Sequence, residues 1–475
     1  MLEKKDIQGL VARGYVKLPQ ALFILLKVTD TVAAKKYLRD IADEVNTIQN
    51  SPEHYAIQVA FTGVGLRALG LPGSALATFS REFLEGMSES FRALILGDQN
   101  EDHPDKWKWG GSKNDQVHIM LLIYAKNVEI LDEWLNNKKN DFAANGMVII
   151  RKQDTNDKIP DSKEHFGFRD GISNPVMSGF KAPAPGEKNI KAGEFVLGYT
   201  NEYDQVSDRP IVNSEDDPNN ILPPCEDDGK QGCKDLGRNG SYLVYRQMHQ
   251  NVYKFWKYLS DNSKEPAGTN IEAAIKLGAK MVGRWPGGAP LALSPDKDDP
   301  KLAEATDFSY AKEDPDGMKC PFGAHVRRSN PRDQLLGRGN DAAAEMIRKH
   351  ALLRRGRSYG STCVPTMDPQ HVLDEGKDDC DRGLHFIGLV GNLSRQFEFV
   401  QNAWIRNPAF DGLFHDADPI IAARQAPGEP LNDQFTCPAL PLRRKYTNLP
   451  QFTNIVGGEY FFLPGIRALK YIASC

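Results

Sequence analysis

Cysteine is scarce and unpatterned in this 475-residue chain. There are seven, Cys225, Cys233, Cys320, Cys363, Cys380, Cys437 and Cys475, an odd number at scattered spacings. That excludes the disulfide framework on which small secreted domains depend. No Cys-x-x-Cys pair occurs, which removes the usual structural zinc sites. Long apolar runs are missing too. The longest near the start, Ala21 to Leu26, is stopped by Lys27. It falls far short of the roughly 20 residues that span a bilayer. It also lies too far from Lys4 and Lys5 to form a secretory signal with them, so the expectation is a cytoplasmic protein, with export by another kind of signal as the alternative. Positive charge is not in excess: the net charge is −4. No global field draws nucleic acid or an anionic membrane, and neither is expected as a partner.

What is present is ordinary globular composition, 40% hydrophobic and 26% charged, with ample material for a large core. Phe23 to Val28 reads as a buried strand, followed by Ala34, Tyr37, Leu38, Ile41 and Val45 at helical spacing. Tyr55 to Thr62, His118 to Tyr124 and Gly146 to Ile150 read as further strands. Pro72 to Met87 reads as a turn and helix, and Leu131, Trp134 and Leu135 as a short amphipathic helix. This is a β-α-β-β-α-β unit of the ferredoxin-like kind with one extra helix. From Asp154 to Gly240 prolines, glycines and acids dominate, as in the runs 181–186 and 214–228. The first part, with the apolar island Phe195 to Tyr199, reads as an ordered loop lining a site, and the acidic part as solvated surface. The strand–helix plan then repeats. Tyr242 to Tyr245, Leu384 to Val390 and Glu459 to Leu463 are strands. Helical stripes run through Val252, Phe255, Trp256 and Leu259, and through Leu393, Phe397, Val400 and Trp404. A large insertion spans Ala267 to Ser361. The expected architecture is α+β: two ferredoxin-like halves, 1–240 and 241–475, with antiparallel sheets, related to a dimeric α+β barrel, and a ligand in the cleft between them.

Five stretches carry chemistry. In His165-Phe-Gly-Phe-Arg-Asp-Gly-Ile-Ser-Asn-Pro175, Gly167 and Gly171 bracket Asp170, so a tight turn can present one carboxylate to a dry cavity. Cys320-Pro-Phe-Gly-Ala-His325-Val-Arg-Arg-Ser-Asn-Pro-Arg332 sets one histidine among small residues, with Arg327 and Arg328 behind it. His350 to Gly360 is densely basic and reads, on its residues alone, as a surface strand and turn. Leu384-His385-Phe386 and Asp418-Pro-Ile-Ile421 read as core strand and loop.

The first stretch resembles the Gly-x-x-Asp-Gly signature of the dye-decolourising peroxidases, a family of haem enzymes, and the others match in the same order. The resemblance runs from Asp6 to the final strand and suggests one of the longer, fungal-like or cyanobacterial-like, subfamilies. It implies one haem b per chain, non-covalent because Cys-x-x-Cys-His is absent. It implies His325 as axial ligand of the iron, with Asp418 accepting a hydrogen bond from it. Asp170 and Arg354 are implied as the catalytic pair on the opposite side, with Leu384 and Phe386 covering the pocket. Arg327 and Arg328 become candidate contacts to the propionates, and Tyr359 a candidate surface relay for electrons. The implied partners are hydrogen peroxide and aromatic one-electron donors such as bulky dyes and phenolics; monomer and homo-oligomer are equally compatible. A second reading is a haem-binding or haem-transfer protein with incidental peroxidase activity, against which the pairing of Asp170 with Arg354 argues.

Overall fold

The computed structural model describes all residues except 156–158, 160–162, 183–188, 227–229, 266–267, 336–337, 340 and 425–431. Parts of the proline-rich and acidic runs, 183–186 and 227–228, therefore lie outside the described residues, as does Ala267.

Nine strands form one sheet: β1 (Gln20–Val28), β2 (Tyr55–Phe61), β3 (Ile119–Ala125), β4 (Met147–Asp154), β5 (Ser241–Gln250), β6 (Leu353–Arg354), β7 (Arg357–Tyr359), β8 (Gly383–Val390) and β9 (Thr453–Leu463). Their order is β6-β8-β5-β9-β2-β3-β1-β4, with β7 also paired to β8, and every pairing is antiparallel. Helix α1 (Thr31–Ala42) follows β1 and α2 (Val128–Asn136) follows β3. Asp30 and Asn127 cap their first turns, which starts each helix just after its strand ends. The first four strands thus lie in the ferredoxin-like order 2-3-1-4. The last five repeat it: β5, α3 (Val252–Asp261), β6 with β7, β8, a helical stretch Ser394–Glu398 continued by Val400–Arg406 in wide π-type turns, and β9. The two sets meet where Phe462 of β9 pairs with Phe61 of β2.

The expected α+β architecture is the observed one, with two corrections. The second strand of the second set is β6 with β7, inside the span read as insertion. Its three arginines, Arg354, Arg355 and Arg357, hid it, because an edge strand carries polar side chains that a buried strand does not. The second correction concerns the cleft. One core joins Phe23, Leu25, Leu122, Tyr124, Tyr245, Ile387, Leu389 and Phe461, drawn from strands of both sets. These side chains fill the space between the two sets of strands. The apolar island belongs partly to that core: Phe195, Val196 and Leu197 are fully buried rather than lining a site. A second core on the outer face packs Leu22, Ile24 and Leu26 against α1, and includes Val244 and Val390 with Leu384 and Phe386 at its margin. The candidate space for a ligand is therefore that outer face, between β8 and a helical layer. The layer holds α3, α4 (Ile271–Val282), α5 (His325–Ser329) and Val400–Arg406, with α5 packed on both α4 and Val400–Arg406. Trp256 and Trp404 are buried within it, as their stripes require.

Candidate functional site

His325 opens the short helix α5. Its Nδ1 lies 2.8 Å from Asp418 Oδ2, and Asp418 Oδ1 accepts the N–H groups of Ile420 and Ile421 at 2.9 and 3.0 Å. The carboxylate is thus clamped by the backbone before it meets the ring. Burial disfavours an imidazolium here, but the charge and hydrogen bond of Asp418 outweigh it, and His325 titrates above its ordinary range. Asp418 is held below its own range by His325 despite complete burial. The Asp418 side chain is 0% exposed while that of His325 is 27% exposed. The ring therefore faces an opening, and its Nε2 has no hydrogen-bond partner among the described residues.

The Asp170 turn comes from the long loop between β4 and β5. Gly167 and Gly171 take φ of +94° and +79°, so both glycines are required by the backbone. Phe166 and Phe168 flank the turn and are buried against Phe255 and Trp256 of α3. Glu164, half-buried, accepts the N–H groups of Phe166 and Phe168 at 2.9 and 3.0 Å and fixes the approach to the turn. Asp170 Oδ1 accepts from Gly171 N at 2.6 Å and from Arg354 Nη1 at 3.1 Å. That leaves Oδ2 free of hydrogen bonds within the described residues. Asn174, which sequence reasoning missed, binds the loop to β6: its Oδ1 accepts Arg354 N at 3.0 Å. The charges of both Arg354 and Asp170 reach His325, so the two pairs share one region of the fold.

Leu384 and Phe386 point from β8 toward the same region and are partly exposed, while His385 between them is buried on the opposite face. Their alternation is that of a strand with one side on a core and the other on an opening.

The remaining sequence-derived residues are corrected by their surroundings. Arg327 spends its guanidinium on Asp314 Oδ2 at 2.9 Å, Cys320 O at 2.6 Å, Asp314 O at 2.9 Å and Gln334 Oε1, between the rings of Tyr310 and Phe322. Arg328 is 0% exposed and donates to the carbonyls of Gly323, Trp404, Asn407 and Asp416. Both fold the segment around His325 and present no donor to a cavity. Tyr359 is 6% exposed, not a surface residue; its hydroxyl meets Asp381 Oδ1 at 3.3 Å.

Arg332, which sequence reasoning passed over, fits an anionic group better; Arg284 beside it already donates to Gly288 O, Ser173 Oγ and Ala305 O at 2.7, 3.1 and 3.0 Å. Arg332 stands in the left-handed region at φ +61°, and its buried Nε has no partner among the described residues. Its guanidinium lies 3.8 Å above Phe308, with Nη1 on Thr306 O at 2.7 Å. Arg284 is pushed down to about 10, chiefly by burial and then by the charges of Arg332 and Arg354. The charges of Arg332 and Arg354 both bear on Arg284, and the orphaned N–H of Arg332 among them matches a ligand bearing carboxylates. The unpartnered imidazole nitrogen and the half-open Leu384 and Phe386 match its flat apolar body. The residues present fit haem. The signal for Arg332 was in the quoted His325 stretch, seven residues on; Arg284 had none.

No family model matches the chain. Individual proteins do. It is 30% identical to a dye-decolorizing peroxidase of Exidia glandulosa, over 98% of this chain and 86% of that protein. Among solved structures it superposes on a decolorizing peroxidase of Auricularia auricula-judae with TM-score 0.77 and 26% identity, covering 100% of both chains. A dye-decolorizing peroxidase in complex with 2,6-dimethoxyphenol gives TM-score 0.76 at 27% identity, again over 100% of both.

Proposed function

The chain belongs to the dye-decolourising peroxidases, and from that premise we propose that it binds one non-covalent haem b, reduces hydrogen peroxide and oxidises bulky dyes and phenolics one electron at a time. Haem, when bound, supplies the redox chemistry. His325 would hold it through Nε2, with Asp418 fixing the ring and raising its basicity. Arg332 would receive a carboxylate, with the charge of Arg284 beside it, and Leu384 and Phe386 would cover the opposite face.

The observation that carries the reading is the Asp170–Arg354 pair. Arg354 Nη1 and the Gly171 N–H hold Asp170 Oδ1, which turns Oδ2 toward the opening. Oδ2 takes a proton from peroxide and returns it to the leaving oxygen, as general base and then acid. Arg354 offsets the negative charge that grows as the O–O bond breaks. A haem carrier needs neither group. The relative bound to 2,6-dimethoxyphenol supports a phenolic donor. The strand order supports a division of the chain into halves 1–240 and 241–475, with Asp170 supplied by the first half and His325 and Arg354 by the second.

The test is spectroscopic. Purified protein supplemented with haem is expected to show an intense Soret band that changes with one equivalent of peroxide, and to bleach a bulky dye. A folded preparation that stays colourless overturns the proposal. Among the described residues no helix is long and apolar enough to cross a membrane.

A further inference from the structure

Behind the strand that covers the site, Tyr245 of β5 and His385 of β8 form a buried pair. Tyr245 Oη lies 2.9 Å from His385 Nδ1, and His385 Nε2 lies 2.9 Å from the carbonyl of Asp154. A carbonyl only accepts, so Nε2 carries the ring proton and Nδ1 offers its lone pair to the phenol. Both residues are 0% exposed. Burial lowers His385 to about 4 and drives Tyr245 well above its ordinary range, so both groups are neutral near pH 7. Further rings extend the pair. Tyr359 stacks on His385 at 4.5 Å between centroids, and Trp109 stacks on Tyr245 at 4.9 Å. Trp109 Nε1 donates to Gln247 Oε1 at 2.8 Å. Packing alone asks for none of this polarity; a phenol with a base of fixed tautomer on its hydroxyl is built for loss of a hydrogen atom in two parts. A buried phenol that lost only an electron would leave a positive charge in an apolar interior. His385 takes up the proton, moving that charge from a phenol radical cation, which is a strong acid, to an imidazole whose Nε2–H is held by the Asp154 carbonyl. The pair is also close to the site, since Leu384 and Phe386, the chain neighbours of His385, face the opening from the other side of the same strand.

We propose that Tyr245 is an internal electron donor: it gives one electron to the cofactor oxidised by peroxide, and its phenolic proton passes to His385 Nδ1. The step leaves a neutral tyrosyl radical and an imidazolium that keeps its Nε2–H on Asp154. The cofactor gains one of the two electrons it lost to peroxide, and no other reactant is consumed. When an external donor later supplies an electron, the proton returns from Nδ1 to the phenolate oxygen. Because neither ring reaches solvent, this position holds an oxidising equivalent away from the porphyrin rather than handing it to a dye. The inference rests on the peroxidase reading above.

The experiment mixes haem-loaded full-length protein with one equivalent of hydrogen peroxide, without donor, and freezes it within milliseconds for electron paramagnetic resonance. Parallel absorbance records oxidation of the haem. The expected result is a radical signal that narrows with ring-deuterated tyrosine and couples to 15N-labelled histidine. Both labels use the native sequence, so the result does not depend on a variant folding. Tyr359, with its hydroxyl on Asp381, would show no histidine coupling. The signal should be lost in Tyr245→Phe and reduced in His385→Gln. A signal indifferent to both labels, or one unchanged in Tyr245→Phe with normal haem oxidation, overturns the inference and leaves the peroxidase reading standing. Absence of any haem oxidation by peroxide overturns both.

Discussion

Arg354 Nη1 donates to Asp170 Oδ1 over 3.1 Å, joining positions 184 residues apart. The carboxylate rides on a loop and the guanidinium on an edge strand, and Asn174 laces the two together through the Arg354 N–H. The carboxylate is therefore aimed by a strand that is itself part of the sheet.

Removing either partner should slow the peroxide step without unseating the cofactor. Asp170→Asn is expected to cost about 10²–10⁴-fold through loss of the proton acceptor. Arg354→Leu is expected to cost about 10²–10³-fold through loss of charge stabilisation. The double variant should fall short of the product, since the two act as a unit. Stopped-flow absorbance after mixing with peroxide reads all three; full rates in Asp170→Asn would remove it from the mechanism.

Asp418→Asn should leave the fold intact and weaken haem retention by about 10–100-fold, because the amide no longer fixes the His325 ring or raises its basicity. Transfer of haem to apomyoglobin measures this. A transfer rate equal to that of the parent chain would mean that Asp418 does not act through His325.

Arg328 and Arg332 should separate cleanly. Arg328→Ala strands four carbonyls in the interior and should destabilise the apoprotein by about 3 kcal/mol or more in denaturant melts. Arg332→Ala should change apoprotein stability little and accelerate haem loss. The reverse pattern would return the propionate role to Arg328.

Glu459 Oε1 accepts from Met87 N at 2.9 Å and Tyr460 N at 2.8 Å, and burial pushes the carboxyl up to about 7. In the unfolded chain it titrates near 4.3. Between those values the native state binds the extra proton, so this residue's contribution to stability falls as pH rises to about 7 and is constant above. His165 and His385, both lowered to about 4 by burial, tilt the parent curve the other way. The clean quantity is therefore a difference. Glu459→Gln keeps an acceptor oxygen and should gain on the parent by on the order of 1 kcal/mol per pKa unit between pH 4.5 and 7. Thermal melts at several pH values follow it; a pH-independent difference would place the ionisation elsewhere.

Much of this architecture was legible before any coordinates. The apolar runs around Phe23, Tyr55 and Ile119 and the stripes through Phe255 and Trp404 gave the order of elements, because strands buried on both faces and helices buried on one leave plain patterns. Asp170, His325, Arg354 and Asp418 were found through motif resemblance, and the fold brings them into one region. What failed was whatever depended on direction. Arg327 and Arg328 look as available as Arg332 in a line of letters. Only the turn of α5 points the first two into protein and leaves the third with a free N–H. The edge strand at Leu353–Tyr359 was missed because its charge, typical of a strand with one open side, reads as surface. Tyr359 was taken for an outer residue for the same reason.

The inward arginines of α5 bear on how the holoprotein is assembled. Arg328 ties the backbone at Gly323, Trp404, Asn407 and Asp416 through contacts that involve no prosthetic group. The frame beneath His325 needs no pigment for these contacts, so on the proposed function the porphyrin would enter a mould already set rather than nucleate one. Chains made under iron starvation should accumulate as well-ordered, reloadable vessels, recovering activity on addition of the pigment without a refolding lag.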